Sequence, residues 1–535
     1  MEVILNKMIG RKNLFFITIL ITLFFLNISF ATSLSTNSIS SNNIYIVDDE
    51  GDGDFTTIQQ ALTLAQPGDI IHIYSGTYQE NISIHTTQLT IEGKPYELGS
   101  GNDIENPIVV GLSSGNVISI NADETSISGI IIQSSGSAYY DAGIGIYSDH
   151  NIITANGIAG NFYGIVLDNC SENTITGNYI LANIMDGIFG TSTQQNIITE
   201  NIIKENGYQG IFLYEADHNQ IIENTLSLNG KDGIHLRDKC NHNEITKNTI
   251  HSNNIDGIKC WMNENQYNNI NKNSIYSNGW NGIHLMNAAN NQILDNDITL
   301  NLFNGIHIGE SNHNLIARNT IQDNKEEGIT ILFDSSTDNK IYHNNFINDN
   351  AYDNGDNQWN NDAGSGGNYW SYYTGIDENQ DGIGDSAYII PGNNNLDNYP
   401  FMNQLIPPTT PNKPNGPIIG AVGETYTYST TATDTGQIQY GWDWNGDETV
   451  DEWTPFYESD QICEISHTYE VNGTFHISVK AMDRQGFQSE WSESTTVTMP
   501  KTRQKYHSVL DVINRIIQLI HNKQLFHLDL FLSPC

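Results

Sequence analysis

Apolar and polar positions return in one fixed order over much of this chain. The order is asparagine, a variable residue, isoleucine, two variable residues, asparagine. It begins at Asn151, Asn173, Asn196, Asn219, Asn243, Asn268, Asn291, Asn314 and Asn339. The isoleucine follows two places on, from Ile153 and Ile175 to Ile316 and Ile341, and the second asparagine five places on, from Asn156 to Asn344. After a second short segment a glycine opens a third, at Gly143, Gly164, Gly187, Gly210, Gly233, Gly257, Gly282, Gly305 and Gly328. Within each segment apolar residues alternate over a few positions, which is the period of a strand and not of a helix. A constant interval of about 23 residues predicts a solenoid, because it is too short for a four-stranded propeller blade. The expected fold is all-β, a right-handed parallel β-helix with three short strands per coil. Neighbouring coils should lie roughly 4.8 Å apart, so that isoleucine rests on isoleucine. Asparagine amides at equivalent bends can then donate and accept along the stack, satisfying bends that would otherwise bury orphaned polar groups. Asn and Gly fall between the segments, where the bends are expected to need left-handed backbone.

The flanking composition divides the 535 residues further. Lys7, Arg11 and Lys12 precede an apolar run from Leu14 to Phe30, with small residues at Ser29 and Ala31, so residues 1–31 read as a secretory signal. The run borders on membrane-spanning length, which leaves an uncleaved anchor as the alternative. Residues 32–43 form a polar spacer and residues 44–402 the β-helix, whose exposed first coil should be covered by an amphipathic helix over Phe55–Leu62. A proline-rich linker spans 403–417, and closely spaced strand-like segments over 418–499 predict a small β-sandwich. Residues 500–535 carry apolar positions at helical spacing with basic residues around them, a helical tail that either packs on a partner or attaches to the cell envelope.

Charge narrows the partners. Lys plus Arg number 22 against 62 Asp plus Glu, a net charge of −40, which repels nucleic acid and anionic lipid and attracts divalent cations. The cysteines Cys170, Cys240, Cys260, Cys463 and Cys535 are irregularly spaced without a C-x-x-C pair, so neither a disulfide framework nor a zinc site is expected.

The run from Gly53 to Ile84 (GDFTTIQQALTLAQPGDIIHIYSGTYQENISI), together with the asparagine–isoleucine coils, resembles pectin-lyase-like β-helix proteins. Among these it is most similar to the NosD-type group and its carbohydrate-binding and sugar-hydrolase (CASH) relatives. The segment from Gly367 to Met402 (GNYWSYYTGIDENQDGIGDSAYIIPGNNNLDNYPFM) resembles the end of that group's β-helix. Trp442–Asp447, His467–Tyr469 and Gly473–Asp483 resemble the polycystic-kidney-disease (PKD) domain, which implies an extracellular spacer or adhesive module. The resemblance implies an exported surface protein; the chain as a whole reads as a structural or carbohydrate-binding (adhesive) module, with glycans or envelope components as its expected partners. The copper role of the group's namesake is not carried over, because no matching ligand motif is found and Lys259 interrupts the one histidine row.

That row is the main candidate for function. If the isoleucine after each glycine points inward, the next residue points out. The outward row then reads Phe189, Phe212, His235, Lys259, His284, His307, Thr330, with Tyr214, Arg237, Trp261 and Met286 beside it and Asp186, Asp232 and Asp256 at the adjacent bend. Three readings stay open: a carbohydrate groove, a copper or other metal site, and a plain solvated strand surface. Catalysis by a polysaccharide lyase or glycoside hydrolase would fall to Asp232, Asp256, His235 and Lys259. Calcium is expected at Asp377, Asn379, Asp381 and Asp385, whose spacing with Gly382 follows an EF-hand loop lacking its last glutamate. A weaker copy of that loop stands at Asp443, Asn445, Asp447 and Asp451.

Overall fold

The computed structural model describes residues 42–99 and 105–500. The expected signal segment, most of the expected polar spacer and the tail expected to be helical lie outside the described residues. The chain forms two compact units, the first ending at Phe212 and the second beginning at Leu213.

In the first unit, short strands stack into three parallel sheets. Ile153 pairs with Ile175 and Ile175 with Ile198, each in register on the coil before it. The helix α1 (Ile58–Leu64) buries Ile58, Ala61 and Leu62. Its N-terminus is not capped by its neighbour Thr57 but by Glu80, whose carboxylate accepts from the Ile58 and Gln59 amides at 2.8 and 2.9 Å. A carboxylate there also complements the positive end of the helix dipole.

The second unit continues the same arithmetic. Ile245, Ile270, Ile293, Ile316 and Ile341 follow Ile221 in register, all fully buried. Asparagine ladders run beside them. The Asn273 amide N–H and side-chain Nδ2 both donate to Asn296 Oδ1 at 2.9 Å, and Nδ2 also donates to the Ile245 carbonyl at 2.8 Å. A third ladder, absent from the sequence reading, runs through Asn253, Asn278, Asn301 and Asn324 to Asp349.

Two expectations about the bends need correcting. The left-handed residue is not the ladder asparagine but the residue before it, as at His242 (φ 55°), Lys247 (φ 56°) and Tyr267 (φ 57°). The asparagine has extended work for its side chain, and its hydrogen bonds hold the strained neighbour in place. The glycines that open the third segment do not supply positive φ either. A Cβ on Gly282 would lie 2.5 Å from Ile298 Cγ2 and 2.7 Å from the Gly305 carbonyl, so glycine is there for close approach between coils.

The second unit's solenoid ends in aromatic rings. Phe346 stacks on Trp370 at 3.9 Å, and Tyr388 stacks on Trp370 at 4.2 Å. The indole N–H groups of Trp359 and Trp370 donate to the buried carboxylates Asp353 and Asp397. Beyond it, Thr425–Thr430 pairs antiparallel with Cys463–Thr468, and Ile438–Asp443, Gly473–Asp483 and Thr495–Met499 build a second antiparallel sheet. Trp442, Tyr440, Tyr428, Ile477 and Val479 fill the space between them. Cys170, Cys240, Cys260 and Cys463 are buried free thiols.

Candidate functional site

The third sheet of the second unit carries the row singled out above. The strands Ile234–Arg237, Ile258–Gln266, Ile283–Ala289 and Ile306–Gly309 lie side by side, pairing His235 with Lys259, Lys259 with His284, and His284 with His307. Ile234 and Leu236, Ile258 and Cys260, and Ile283 and Leu285 are fully buried in the interior. Strand alternation therefore sends the row outward, as expected.

Outward does not mean solvated here. His235, Lys259 and His284 are only 8%, 6% and 7% exposed. The reason is the bend beside them, which forms a fourth ladder running in the opposite sense to the asparagine ladders. In it the later coil donates: Asp256 N–H to Asp232 Oδ1 at 3.1 Å, Asn281 N–H and Nδ2 to Asp256 Oδ1 at 3.0 and 2.9 Å, and Asn304 Nδ2 to Asn281 Oδ1 at 3.0 Å. Thr330, at the end of the row, donates its hydroxyl to Asn304 Oδ1 at 2.8 Å.

With Oδ1 of Asp256 held by the ladder, its Oδ2 meets Lys259 Nζ at 3.3 Å and His284 Nδ1 at 2.9 Å. Burial opposes ionisation of Asp256, but the His284 hydrogen bond and the nearby charges outweigh it and hold the carboxyl below its usual range. An ionised carboxylate can only accept, so His284 Nδ1 carries a proton and donates it to Asp256 Oδ2, which leaves Nε2 as the outer nitrogen of the ring. That Nε2, buried, has no hydrogen-bond partner among the described residues, and neither has Nδ1 of His307. Burial, helped by the neighbouring His284, pushes the His307 imidazole down to about 4. One coil earlier, His235 Nδ1 meets Asp232 Oδ2 at 3.1 Å.

Trp261 borders this floor on one side. Its ring, 36% exposed, sits 3.8 Å from Lys259 Nζ, with the His235 and His284 rings 6.4 and 5.9 Å away. The coil that carries Trp261 is longer than its neighbours and bulges between Trp261 and Asn265, where Met262 and Glu264 take positive φ. The 25-residue step between Asn243 and Asn268 is the sequence trace of that bulge. Arg237 is exposed, its Nη2 3.6 Å from Met262 Sδ, and Met286 and Tyr214 are half-buried. Phe212 belongs to the first unit, where its ring lies 5.4 Å from that of Phe189.

The two acidic loops fold their side chains onto their own backbone. Asp377 accepts from the Asp381 and Gly382 amides, Asn379 bonds Asp381, Asp381 accepts from Ile383, and Asp385 from Glu378. Asp443 accepts from Asn445, Gly446 and Glu448, Asp447 from Thr449, and Asp451 from Trp444. Among the described residues, one group of three or more His, Cys, Asp or Glu brings its ligand atoms within 4.8 Å of one another: Asp48, Glu50 and Glu97. Neither acidic loop and none of the third-sheet histidines belongs to such a group. A cavity of about 470 Å³ opens elsewhere, lined in part by Lys272, Asp295 and Arg318, but Arg318 is spent on a two-pronged pair with Asp295.

Stacked parallel coils that present a charged and aromatic row on one sheet define a β-helix protein with a built face, followed by a small antiparallel sandwich. The chain belongs to the family described as periplasmic copper-binding protein (NosD), which matches residues 35–260 and 256–375. The sandwich is similar to the PKD domain of an M14-like peptidase from a Thermoplasmatales archaeon, at 38% identity over 18% of this chain and 98% of that one, TM-score 0.17. Similar solved structures include the A-module of the mannuronan C-5 epimerase AlgE6 of Azotobacter vinelandii, at 11% identity over 56% of this chain and 89% of that one, TM-score 0.46. Another is the DFA-IIIase of Arthrobacter chlorophenolicus without its lid, at 12% identity over 55% and 87%, TM-score 0.41. No curated protein matches the chain. The copper of the family description is not matched by the one converging ligand group among the described residues. The converging ligand group is all carboxylate, whereas copper favours nitrogen and sulfur donors. Among the described residues no helix is long and apolar enough to cross a membrane.

Proposed function

We propose that this protein is exported and binds carbohydrate on the third-sheet face from His235 to His307, with the PKD-like sandwich as a spacer or adhesive module. The observation that carries the reading is the Trp261 ring, partly exposed beside Lys259 and His284. An aromatic face stacks on a sugar ring, and the flanking cation and imidazole bond hydroxyls or a uronate carboxylate. Calcium, attracted by the acidic surface, is the ion proposed for the loop at Asp377. The test is retention of the full chain on a panel of immobilised acidic and neutral glycans. Trp261→Ala should weaken retention about tenfold, a loss of about 1.4 kcal/mol, with an unchanged circular dichroism spectrum. Equal retention by the wild type and the variant would remove the face from the proposal.

A second reading, cleavage of the bound glycan, is favoured by one observation: Asp256 orients His284 and leaves its Nε2 without a partner beside Lys259. In the neutral form of the ring that nitrogen, next to a cation, can take a proton while the cation holds the anion that forms. Under this reading unsaturated or reducing ends accumulate with the wild type and His284→Ala stops their release. Retention without any released ends decides for the binder.

A further inference from the structure

The first coil carries a concentration of acid that the third-sheet face does not involve. Directly after the strand Ile44–Val47 come Asp48, Asp49, Glu50, Asp52 and Asp54, five carboxylates in seven residues. Three of them have backbone work: Asp54 accepts from the Ile46 amide at 3.0 Å, Asp49 from Thr77 at 2.9 Å, and Asp48 Oδ2 from Asp52 at 2.9 Å. Asp48 is fully buried, and its other oxygen, Oδ1, has no hydrogen-bond partner among the described residues. The nearby Tyr78 hydroxyl does not supply one, because it donates to main-chain carbonyls of Tyr74 and Val47. A buried carboxylate oxygen without a donor is costly and rare, and it calls for a positive partner.

The partner has a place. Carboxylate oxygens of Asp48, Glu50 and Glu97 lie within 4.8 Å of one another. That span is about twice a calcium–oxygen bond of roughly 2.4 Å, so one ion between them can reach all three. Asp48 is buried, Glu97 half-buried and Glu50 exposed, which leaves the cluster open to solvent on the Glu50 side for the waters that complete a shell of six to eight oxygens.

We propose that Asp48, Glu50 and Glu97 bind a hard divalent cation, calcium, at the first coil of the β-helix. Three carboxylates suit calcium better than magnesium, which takes shorter bonds in strict octahedral geometry and keeps most of its water. An all-oxygen set does not suit copper or zinc. Bound there, the ion ties the turn after the first strand to the loop at Glu97 and fastens the end of the stack.

The test is calorimetric titration of the full chain with calcium chloride after treatment with a chelator. The two glutamates are substituted, since Asp48 sits in the core and its loss endangers the fold. Glu50→Gln and Glu97→Gln should each bind one calcium fewer than the wild type while keeping its circular dichroism spectrum. Magnesium chloride should bind this site at least tenfold more weakly. If both variants bind as many calcium ions as the wild type, within twofold in affinity, the site is not where we place it. Magnesium binding as tight as calcium would overturn the assignment of the ion.

Discussion

Single residues in this protein do work that their neighbours in sequence make necessary. Each asparagine of the three asparagine ladders follows a residue in left-handed backbone, a conformation that costs a non-glycine residue of order 1–3 kcal/mol. The asparagine offsets it by satisfying donors and acceptors on two coils at once, as Asn273 does with Asn296 and the Ile245 carbonyl. His307 shows the reverse, a buried Nδ1 without a partner among the described residues. Its imidazole is pushed from the ordinary value down to about 4, mainly by burial. A depressed histidine contributes stability that is present above about pH 6.5 and is lost as pH falls toward 4, because the unfolded chain takes up the proton first. Imidazole resonances followed by NMR should place the His307 midpoint near pH 4. A midpoint near 6.5 would mean that the face is open to water.

Between elements, the spacing of coils is set by what the glycines leave out. Gly282 packs against Ile298 and the Gly305 carbonyl with no room for a methyl group. Gly160, at φ +67°, has nothing within 4 Å of a Cβ, so an alanine there meets only its own backbone preference. Gly282→Ala should therefore cost about 1–3 kcal/mol through overpacking. Gly160→Ala should cost only about 1 kcal/mol through the left-handed conformation. Urea unfolding of the two variants distinguishes close approach from turn geometry, and equal losses would contradict the packing argument. The helix α1 makes a related point, since its cap comes from Glu80, more than twenty positions away, at 2.8 and 2.9 Å.

On the scale of the whole molecule, stability in a stacked array is a sum over neighbours, so its ends matter most. The closing turn of the second unit rests on Asp397, which accepts from Trp370 and Asn368 while buried. Burial pushes its carboxyl up to about 6 in spite of those hydrogen bonds. A raised carboxyl contributes stability in full below about pH 4, and the contribution is lost as pH rises through 6. The wild type should lose on the order of 2–3 kcal/mol from this group over that window. His307 and Asp256 change in the opposite direction, so the comparison must be with Asp397→Asn, whose urea midpoint should lack this part of the slope. Parallel midpoints for the two proteins between pH 4 and 6 would refute it.

Period and composition were enough to determine the coil. Residues that recur every 23 or so positions can satisfy one another only by stacking, so Ile221, Ile245 and Ile270 had to meet, and their asparagines with them. The short loops, the sandwich strands and the outward direction of the His235 row followed from local rules of alternation and turn chemistry. What lay beyond those rules was decided by atoms far apart in the chain. Whether an outward residue meets water depends on the bend and coil beside it, which is why Lys259 and His284 are buried against Asp256. The acidic group at Asp48 was equally hidden, because Glu97 reaches it only once the chain has turned back on itself. Periodicity fixes which residues share a row; the depth and partners of each side chain come from packing in three dimensions.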